Sequence, residues 1–281
     1  MTLTSSLLLN VELQEIENLT RFLKNKFDYD FREYAVPSFN RRIRQALINH
    51  DLKNVQELIY KLEATPTFIR DLITEITVNV TSMFRDPSFW FEMRNIIRQH
   101  YTNQKIKIWH VGCSSGEEVY SMTILLQELN LIDGFSIIAT DLDKNILQKA
   151  KKGRYKLNNL ELTRKNYIRS GGKNLDQHIS IYDQKFFHIN DNLKRNITFL
   201  QHSIVSEEKI GNFDIILCRN VVLYFNQKLQ SQVFKTLQRN LTTKGYLGIG
   251  TNESIIFCNG LSKLKTESFK NKFYKKQIVI N

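Results

Sequence analysis

A buried strand that runs into a glycine loop and then into a helix constrains this chain more than any other feature. Residues 106–111 (IKIWHV) are predicted to form the strand, 112–116 (GCSSG) the loop and 117–129 the helix. A second apolar strand, FSIIAT, follows and runs directly into Asp141. This order is typical of the nucleotide-binding half of a doubly wound α/β sheet, where the loop backbone approaches a ligand and the acid accepts ribose hydroxyl groups.

The rest of the second half alternates in the same way. Further strands are predicted at 197–200, 213–218, 246–250 and 272–280. The segment 146–155 (ILQKAKKGRY) is predicted to contain a helix that stops at Gly153. A later helix, capped by Asn226, is expected to end at Gly245. Its apolar stripe is Leu229, Val233, Leu237 and Leu241. This alternation predicts a Rossmann-like, mostly parallel sheet with helices on both faces.

The first third of the chain has a different pattern. Apolar residues recur at helical spacing over 11–24, 38–48, 52–63 and 67–77, with Ser38 as a candidate N-cap and Pro66 at the start of the fourth helix. We therefore expect a helical domain over 1–75, a linker and helix over 76–104 that contribute to the ligand site, and an α/β domain over 105–281. Within the α/β domain, HISIYDQKFFHI (178–189) alternates as a β-hairpin, which predicts an inserted β-subdomain at about 170–195 or a plain surface hairpin.

Two acids at the start of the helix after the glycine loop bear on the choice of ligand. Glu117 and Glu118 would repel a pyrophosphate but would hold an ammonium group, which favours S-adenosylmethionine over a dinucleotide. Glu117 fits equally well as a residue that complements the helix dipole, whereas the ligand role is preferred for Glu118. Arg219, Asn220 and Tyr224 follow the strand at 213–218 and should lie near the same ligand.

Composition excludes several classes of protein. The 281 residues include no apolar run long enough to span a membrane, and the N-terminus lacks the pattern of a signal peptide, so a cytoplasmic protein is expected. Three widely spaced cysteines without a C-x-x-C pair disfavour a disulfide framework and a metal site. The formal net charge is +12, and residues 142–175 hold 10 basic against 2 acidic groups. That excess suggests an acidic partner, such as nucleic acid or an acidic protein.

Three subclasses of methyltransferase lack their required residues here. The chain has no proline after Pro87, so the N/D-P-P-Y/F motif of the amino-methylating nucleic-acid enzymes is absent. Leu217, not proline, precedes Cys218, which rules against the cytosine-C5 class. The loop after that strand, VVLYFNQK, lacks the paired glutamates of arginine methyltransferases.

Five segments in order, NVTSMFRD (79–86), GCSSGEEVYS (112–121), ATDLD (139–143), CRNVVLYF (218–225) and GTNES (250–254), resemble the CheR family. These are the chemotaxis receptor glutamate O-methyltransferases, which use S-adenosylmethionine and release S-adenosylhomocysteine. The resemblance implies glutamate methyl esters on the cytoplasmic domain of a methyl-accepting receptor. It also implies that the inserted hairpin can bind a receptor C-terminal peptide, with neither nucleic acid nor membrane insertion involved.

The resemblance also assigns residues. Cofactor contacts fall on Asn79, Thr81, Arg85, Gly112, Glu118, Asp141, Ser203, Ile204, Arg219 and Asn220. Catalytic roles fall on Arg85, which holds a carboxylate or closes the site, and on Tyr224, beside the reacting methyl group. Arg41, Arg42 and Arg44 could face the substrate helix. The chain departs from the family where Ser203-Ile204 replaces an Asn-Leu pair and where Thr251-Asn252 interrupts G-H-S-E.

The chemistry so implied needs no general base, because a glutamate with a reference pKa of about 4.3 is already ionised at neutral pH. His110 is accordingly expected to be a packed residue. Two other functions remain open from the residues alone: a nucleic-acid methyltransferase that uses the basic surface, and a non-catalytic S-adenosylmethionine-binding module that docks on receptors.

Overall fold

The computed structural model describes residues 11–77, 81–102, 104–131, 133–206 and 209–277. The helices in these ranges are α1 (Leu13–Phe27), α2 (Val36–Asn49), α3 (Val55–Ala64), α4 (Ile69–Ile76), α5 (Pro87–His100), α6 (Glu117–Glu128), α7 (Lys144–Lys152), α8 (Leu160–Arg169) and α9 (Gln227–Asn240). The strands are β1 (Ile106–Val111), β2 (Phe135–Asp141), β3 (Arg154–Lys156), β4 (Ile179–Ile181), β5 (Phe186–Ile189), β6 (Ile197–Gln201), β7 (Phe213–Cys218), β8 (Leu241–Ile249), β9 (Leu264–Ser268) and β10 (Phe273–Lys276). No helix in these ranges combines the length and the apolar content that a membrane span requires.

Seven of these strands form the central sheet, in the order β6-β2-β1-β7-β8-β10-β9. β1 pairs in parallel with β2 on one side and with β7 on the other, and β10 is antiparallel to both of its neighbours. The chain therefore builds outward from β1 in one direction and then returns to build in the other. This reversal confirms the doubly wound prediction and places a ligand crevice at the carboxyl ends of β1, β2 and β7.

The helical domain is built from α1 to α4, whose apolar stripes meet in a separate core around residues such as Leu19, Ile43 and Leu72. The predicted cap at Ser38 is wrong. α2 begins at Val36, two residues earlier, with Ala35 as its N-cap. Pro37 lies in the first turn of α2, where its missing N–H costs nothing and its fixed φ suits the helix.

The second sheet confirms the inserted hairpin and enlarges it. β4 and β5 are antiparallel, and β3 joins the other edge of β5. The helix before β3, α7, stops at Gly153 as predicted, with a left-handed φ of 56°, and the chain turns directly into the strand. α8 lies between β3 and β4, so the small sheet draws on residues well before 170.

At the C-terminal end one prediction is wrong and one strand was missed, for the same physical reason. α9 ends at Asn240 and not at Gly245, because Leu241 already pairs with Phe213 in the central sheet. β9, which the pattern had not indicated, forms the sheet edge beside β10. In both cases sheet pairing decides the local structure over the apolar spacing.

The helical domain contacts the α/β domain directly at the segment after β7. The Ala35 N–H donates to the Tyr224 carbonyl at 2.9 Å, and the Asn226 N–H donates to the Glu33 carbonyl at 3.0 Å. The rings of Tyr34 and Phe225 pack edge to face with centroids 4.9 Å apart. The start of α2 is thereby held against the loop that carries the predicted catalytic tyrosine.

Candidate functional site

Two cavities meet at the carboxyl ends of β1, β2 and β7. The larger cavity, with an empty volume of about 820 Å³, lies between the helical domain and the sheet. The smaller cavity, of about 460 Å³, lies beneath the linker. Gly112, Ser114 and Asn220 line both, so the two cavities adjoin at these residues, and each is of the size that ligand sites occupy.

Gly112 is required at the junction of the two cavities. Its φ of 64° is strained for any side chain, and a Cβ atom would lie 2.5 Å from the Val221 Cγ2 atom. Gly116, with a φ of 90°, ends the loop and precedes α6. The loop backbone can therefore approach a ligand closely, as the sequence predicted.

Asp141 lies at the end of β2 and lines the larger cavity. One carboxylate oxygen accepts from the Ser114 N–H at 2.8 Å and the other from the Asp143 N–H at 3.0 Å. Burial raises the pKa of Asp141 to about 6, although these N–H groups oppose the shift. The Leu142 N–H acts on the carboxylate as well, and of its roughly four lone pairs at least one stays open to a ligand hydroxyl group.

Glu118 is held between a histidine and an arginine in the wall of the smaller cavity. Its Oε1 lies 2.9 Å from His110 Nδ1, and its Oε2 accepts from Arg219 Nη1 at 3.0 Å. Burial favours the neutral acid, but the His110 hydrogen bond and the Arg219 charge together leave the pKa of Glu118 below its ordinary value. His110 is fully buried, in agreement with its predicted packed role, and it also orients this carboxylate.

Arg219 connects the end of β7 to the linker. Its Nη2 donates to Asp86 Oδ2 at 2.6 Å and to the Arg85 carbonyl at 3.3 Å, and its guanidinium lies 4.0 Å from the Phe89 ring centroid. Thr81 and Arg85 of the linker line the smaller cavity with Glu118. These walls carry charges of both signs, which suits a zwitterion such as the methionyl end of S-adenosylmethionine. Asn79, predicted as a contact, lies outside the described residues.

Glu253 organises the loop that carries Asn220, and sequence reasoning had given it no role. Its carboxylate accepts backbone N–H groups from Gly250 at 2.7 Å and from Asn220, Val221 and Val222 at 2.9 Å each. The side chain is buried, which raises its pKa against the effect of these four donors. Asn220 is thereby held at a φ of 60°, in the left-handed region, between the two cavities.

The helical domain closes the larger cavity. Tyr34, Ser38, Phe39 and Arg42 line it from one side, while Tyr224, Ser203 and Ile204 line it from the sheet. Burial raises the pKa of Tyr224, and the charges of Arg42 and Arg85 act in the opposite direction.

The three predicted substrate arginines do not lie together. Arg42 lines the larger cavity, whereas Arg41 and Arg44 are exposed and line neither cavity.

Glu117 does not share a site with Glu118. Its carboxylate accepts from the Ser115 hydroxyl at 2.6 Å and lines a third cavity, of about 710 Å³, together with Tyr155 and Thr163 of the insertion. Burial raises the pKa of Glu117 to about 7. The paired acids of the sequence thus face different spaces, and only Glu118 lines the wall of the smaller cavity.

The walls also include residues that the sequence did not single out. Tyr34 and Phe39 come from the helical domain, and Leu142 follows the acid at the end of β2. Nothing in their local pattern distinguishes them from core residues. They join the site only because the two domains pack together.

These observations define an S-adenosylmethionine-dependent methyltransferase. The chain belongs to the CheR methyltransferase family: residues 79–270 match the family's SAM-binding domain, and residues 14–77 match its all-alpha domain.

Similarity to curated proteins extends over most of the chain. A Pseudomonas putida chain named as a methyltransferase, Cher3, is 34% identical over 246 residues, covering 86% of this chain and 89% of its own length. A chemotaxis protein methyltransferase of Borreliella burgdorferi is 28% identical, over 93% of this chain and 95% of its own length. One from Listeria monocytogenes is 26% identical and covers 84% and 88%.

Proposed function

We propose that this enzyme transfers the methyl group of S-adenosylmethionine to glutamate carboxylates on the cytoplasmic helices of a chemotaxis receptor. The observation that carries the proposal is that Tyr224 and Arg42 line the same cavity, with Arg85 in the wall of the adjoining smaller cavity. A positive field around the acceptor position attracts a carboxylate, whereas it repels an amine or a cationic side chain. The protein would work in the cytoplasm, where such receptor domains are exposed.

The cofactor, when bound, supplies an electrophilic methyl group on a sulfonium. In this proposal Asp141 accepts the ribose hydroxyls, Ser203 and Ile204 contact the adenine side, and Gly112 and Asn220 line the passage between the cavities. Glu118 receives the ammonium group, with Thr81, Arg85 and Arg219 around the methionyl end. Asn79, outside the described residues, is proposed as a further cofactor contact. The mixed charges of the smaller cavity support this orientation.

The protein's contribution to methyl transfer is orientation and removal of water. Attack on the methyl group neutralises a carboxylate and a sulfonium together, so a dry cavity favours the reaction and no proton has to be moved. Arg85 would hold the incoming carboxylate in line, and the Tyr224 hydroxyl would donate to it. Arg42, also in the cavity wall, would share the first of these tasks.

The outer arginines and the insertion would act earlier, in docking. Arg41 and Arg44 are exposed, and their charges would guide an acidic receptor helix towards the cavity mouth. β4 forms one edge of the small sheet as described, so a receptor C-terminal peptide could add to it as a further strand. Deleting the receptor tail should then slow methylation; an unchanged rate would argue against peptide docking.

The test is to incubate the enzyme with methyl-labelled S-adenosylmethionine and a receptor cytoplasmic fragment. Base-labile label on the fragment is expected, and it should disappear when the accepting glutamates are replaced by glutamine. Label on added RNA would instead favour a nucleic-acid methyltransferase. Cofactor binding without transfer to any substrate would favour a docking module.

Variants connect the outcome to the residues. Arg85→Ala and Tyr224→Phe should lower turnover, with cofactor affinity measured separately, and unchanged turnover in both would refute their roles. The Arg41→Ala, Arg44→Ala double variant should slow methylation mainly at low salt, because exposed charges are screened within about 8 Å at physiological ionic strength. Lys105→Ala, Lys107→Ala is the control, because both lysines are exposed and lie at the start of β1, at the opposite end of the strand from the cavities.

A further inference from the structure

Four large apolar side chains are exposed together beside the mouth of the larger cavity. Val36 and Leu223 are 42% and 39% exposed, and Ile256 and Phe257 are 63% and 73% exposed. We call these four residues the apolar rim. They come from three separate segments of the chain: the first turn of α2, the turn after β7 and the loop after β8.

Backbone contacts place the three segments side by side. The Ala35 N–H, next to Val36, donates to the Tyr224 carbonyl, next to Leu223. On the other side of this turn, Gln227 Nε2 donates to the Phe257 carbonyl at 3.3 Å. These contacts place the three segments of the apolar rim next to one another, from α2, past Tyr224, to the loop that carries Phe257.

The loop after β8 is anchored on both sides of Ile256 and Phe257, so these two exposed side chains have a fixed position. Ile255 and Cys258, on either side of them, pack against the apolar core under β7 and β8. Glu253, three residues earlier, is tied to four backbone N–H groups. A fixed loop that exposes an isoleucine and a phenylalanine at its tip loses little entropy when a partner covers them.

We propose that the apolar rim is the docking surface for one face of the protein substrate, an amphipathic helix with apolar side chains beside its carboxylates. This rests on the proposed function. Arg41 and Arg44 lie further along α2 from Val36, and among the described residues neither has an acidic partner within ion-pair distance. The surface thus offers apolar anchors at one end and unpaired positive charge at the other, which is complementary to such a helix.

Charge favours this occupant over a second copy of the chain. A symmetric dimer on the rim would pair apolar side chains with apolar side chains but would supply no acidic partner for the α2 arginines of either copy. An acidic helix gains from the same arginines. The rim would set the position of the helix, and the arginines would set its approach.

The experiment compares the double variant Ile256→Ser, Phe257→Ser with the control Phe269→Ser. Phe269 is 69% exposed, on the turn between β9 and β10, and has no place in the rim or in either cavity. For the double variant, the KM for the receptor fragment should rise about tenfold or more, with kcat and the Kd for S-adenosylhomocysteine unchanged. The control should match the wild type. A KM that is unchanged, or that rises equally in both variants, would overturn the proposal.

Further measurements separate this proposal from the proposed function. If the wild type binds the fragment but transfers no methyl group, the proposed function fails, and the rim is judged by the fragment Kd in the same two variants. Sedimentation of the wild type and the double variant tests self-association: a dimer that the substitutions dissolve would overturn the proposal. Binding to anionic lipid vesicles is the last test. The proposal would also be overturned if the wild type and the control bind these vesicles and the double variant does not.

Discussion

Replacing Glu253 by glutamine should destabilise the part of the fold that carries both cavities. The carboxylate accepts four backbone N–H groups, two at each oxygen: Gly250 and Asn220 at Oε2, Val221 and Val222 at Oε1. A glutamine keeps one acceptor oxygen and turns an NH₂ group towards the other two donors.

The magnitude follows from the donors left without a partner. Each buried donor that loses its acceptor costs about 1–3 kcal/mol, so two such donors predict a loss of about 2–6 kcal/mol in the free energy of unfolding. Cofactor affinity should fall as well, because Asn220 and Val221 line the larger cavity and Asn220 is held in a strained conformation.

Urea unfolding followed by tryptophan fluorescence measures this loss in the right part of the molecule. Both tryptophans, Trp90 and Trp109, are buried in the α/β part of the chain, so the signal does not report on the helical domain. Because burial raises the pKa of Glu253, the comparison is made at mildly alkaline pH, which favours the wild-type carboxylate.

Glu92→Gln is the matched control for this substitution. Glu92 is also partly buried, but its Oε2 accepts from the Ser268 hydroxyl and the Asn271 side-chain amide, which can reorient around a glutamine. We expect Glu92→Gln to lower the free energy of unfolding by less than about 1 kcal/mol. The role given to the Glu253 carboxylate would be refuted by a Glu253→Gln variant that loses no more free energy of unfolding than this control and binds S-adenosylhomocysteine normally.

Two further predictions concern the cofactor. Gly112→Ala should weaken cofactor binding at least tenfold, because both its φ and the nearby Val221 side chain oppose a Cβ atom. The control, Gly134→Ala, should have no effect, because a Cβ atom there would have no neighbour closer than 3.6 Å. Calorimetric titration with S-adenosylhomocysteine measures both affinities. If Asp141 binds ribose as a carboxylate with a free-state pKa of about 6, affinity should be constant above pH 7 and fall about tenfold between pH 7 and pH 5. The free energy of unfolding of the cofactor-free protein should change in the opposite direction. Because the pKa of Asp141 is higher in the folded state, protonation of Asp141 should stabilise the fold as the pH falls from about 6 towards 4. Asp141→Asn should bind weakly with no such pH dependence, and a variant that keeps the wild-type pH profile would contradict the assignment.

Local sequence determined the α/β half of the fold because its signals are short-range. A buried strand, a glycine with left-handed φ and an acid at the end of the next strand each need only neighbouring residues to be recognised, and β1, Gly112 and Asp141 lie where that pattern placed them. The family followed from the order of five such segments. The positions of Glu118, Arg219 and Asn220 in one cavity wall were also expected, because carboxyl ends of neighbouring parallel strands meet at one edge.

The tertiary structure alone decided which side chains face which space. Glu117 and Glu118 are adjacent in sequence, but consecutive helix positions point about 100° apart, and packing sends one to the insertion and the other to Arg219. The same rule separates Arg42 from Arg41 on α2. Glu253 and the apolar rim were beyond any local pattern, because their partners lie tens to hundreds of residues away in the chain. Sequence thus specified the family and the cofactor, and long-range packing specified how the site is closed and which apolar side chains are exposed beside it.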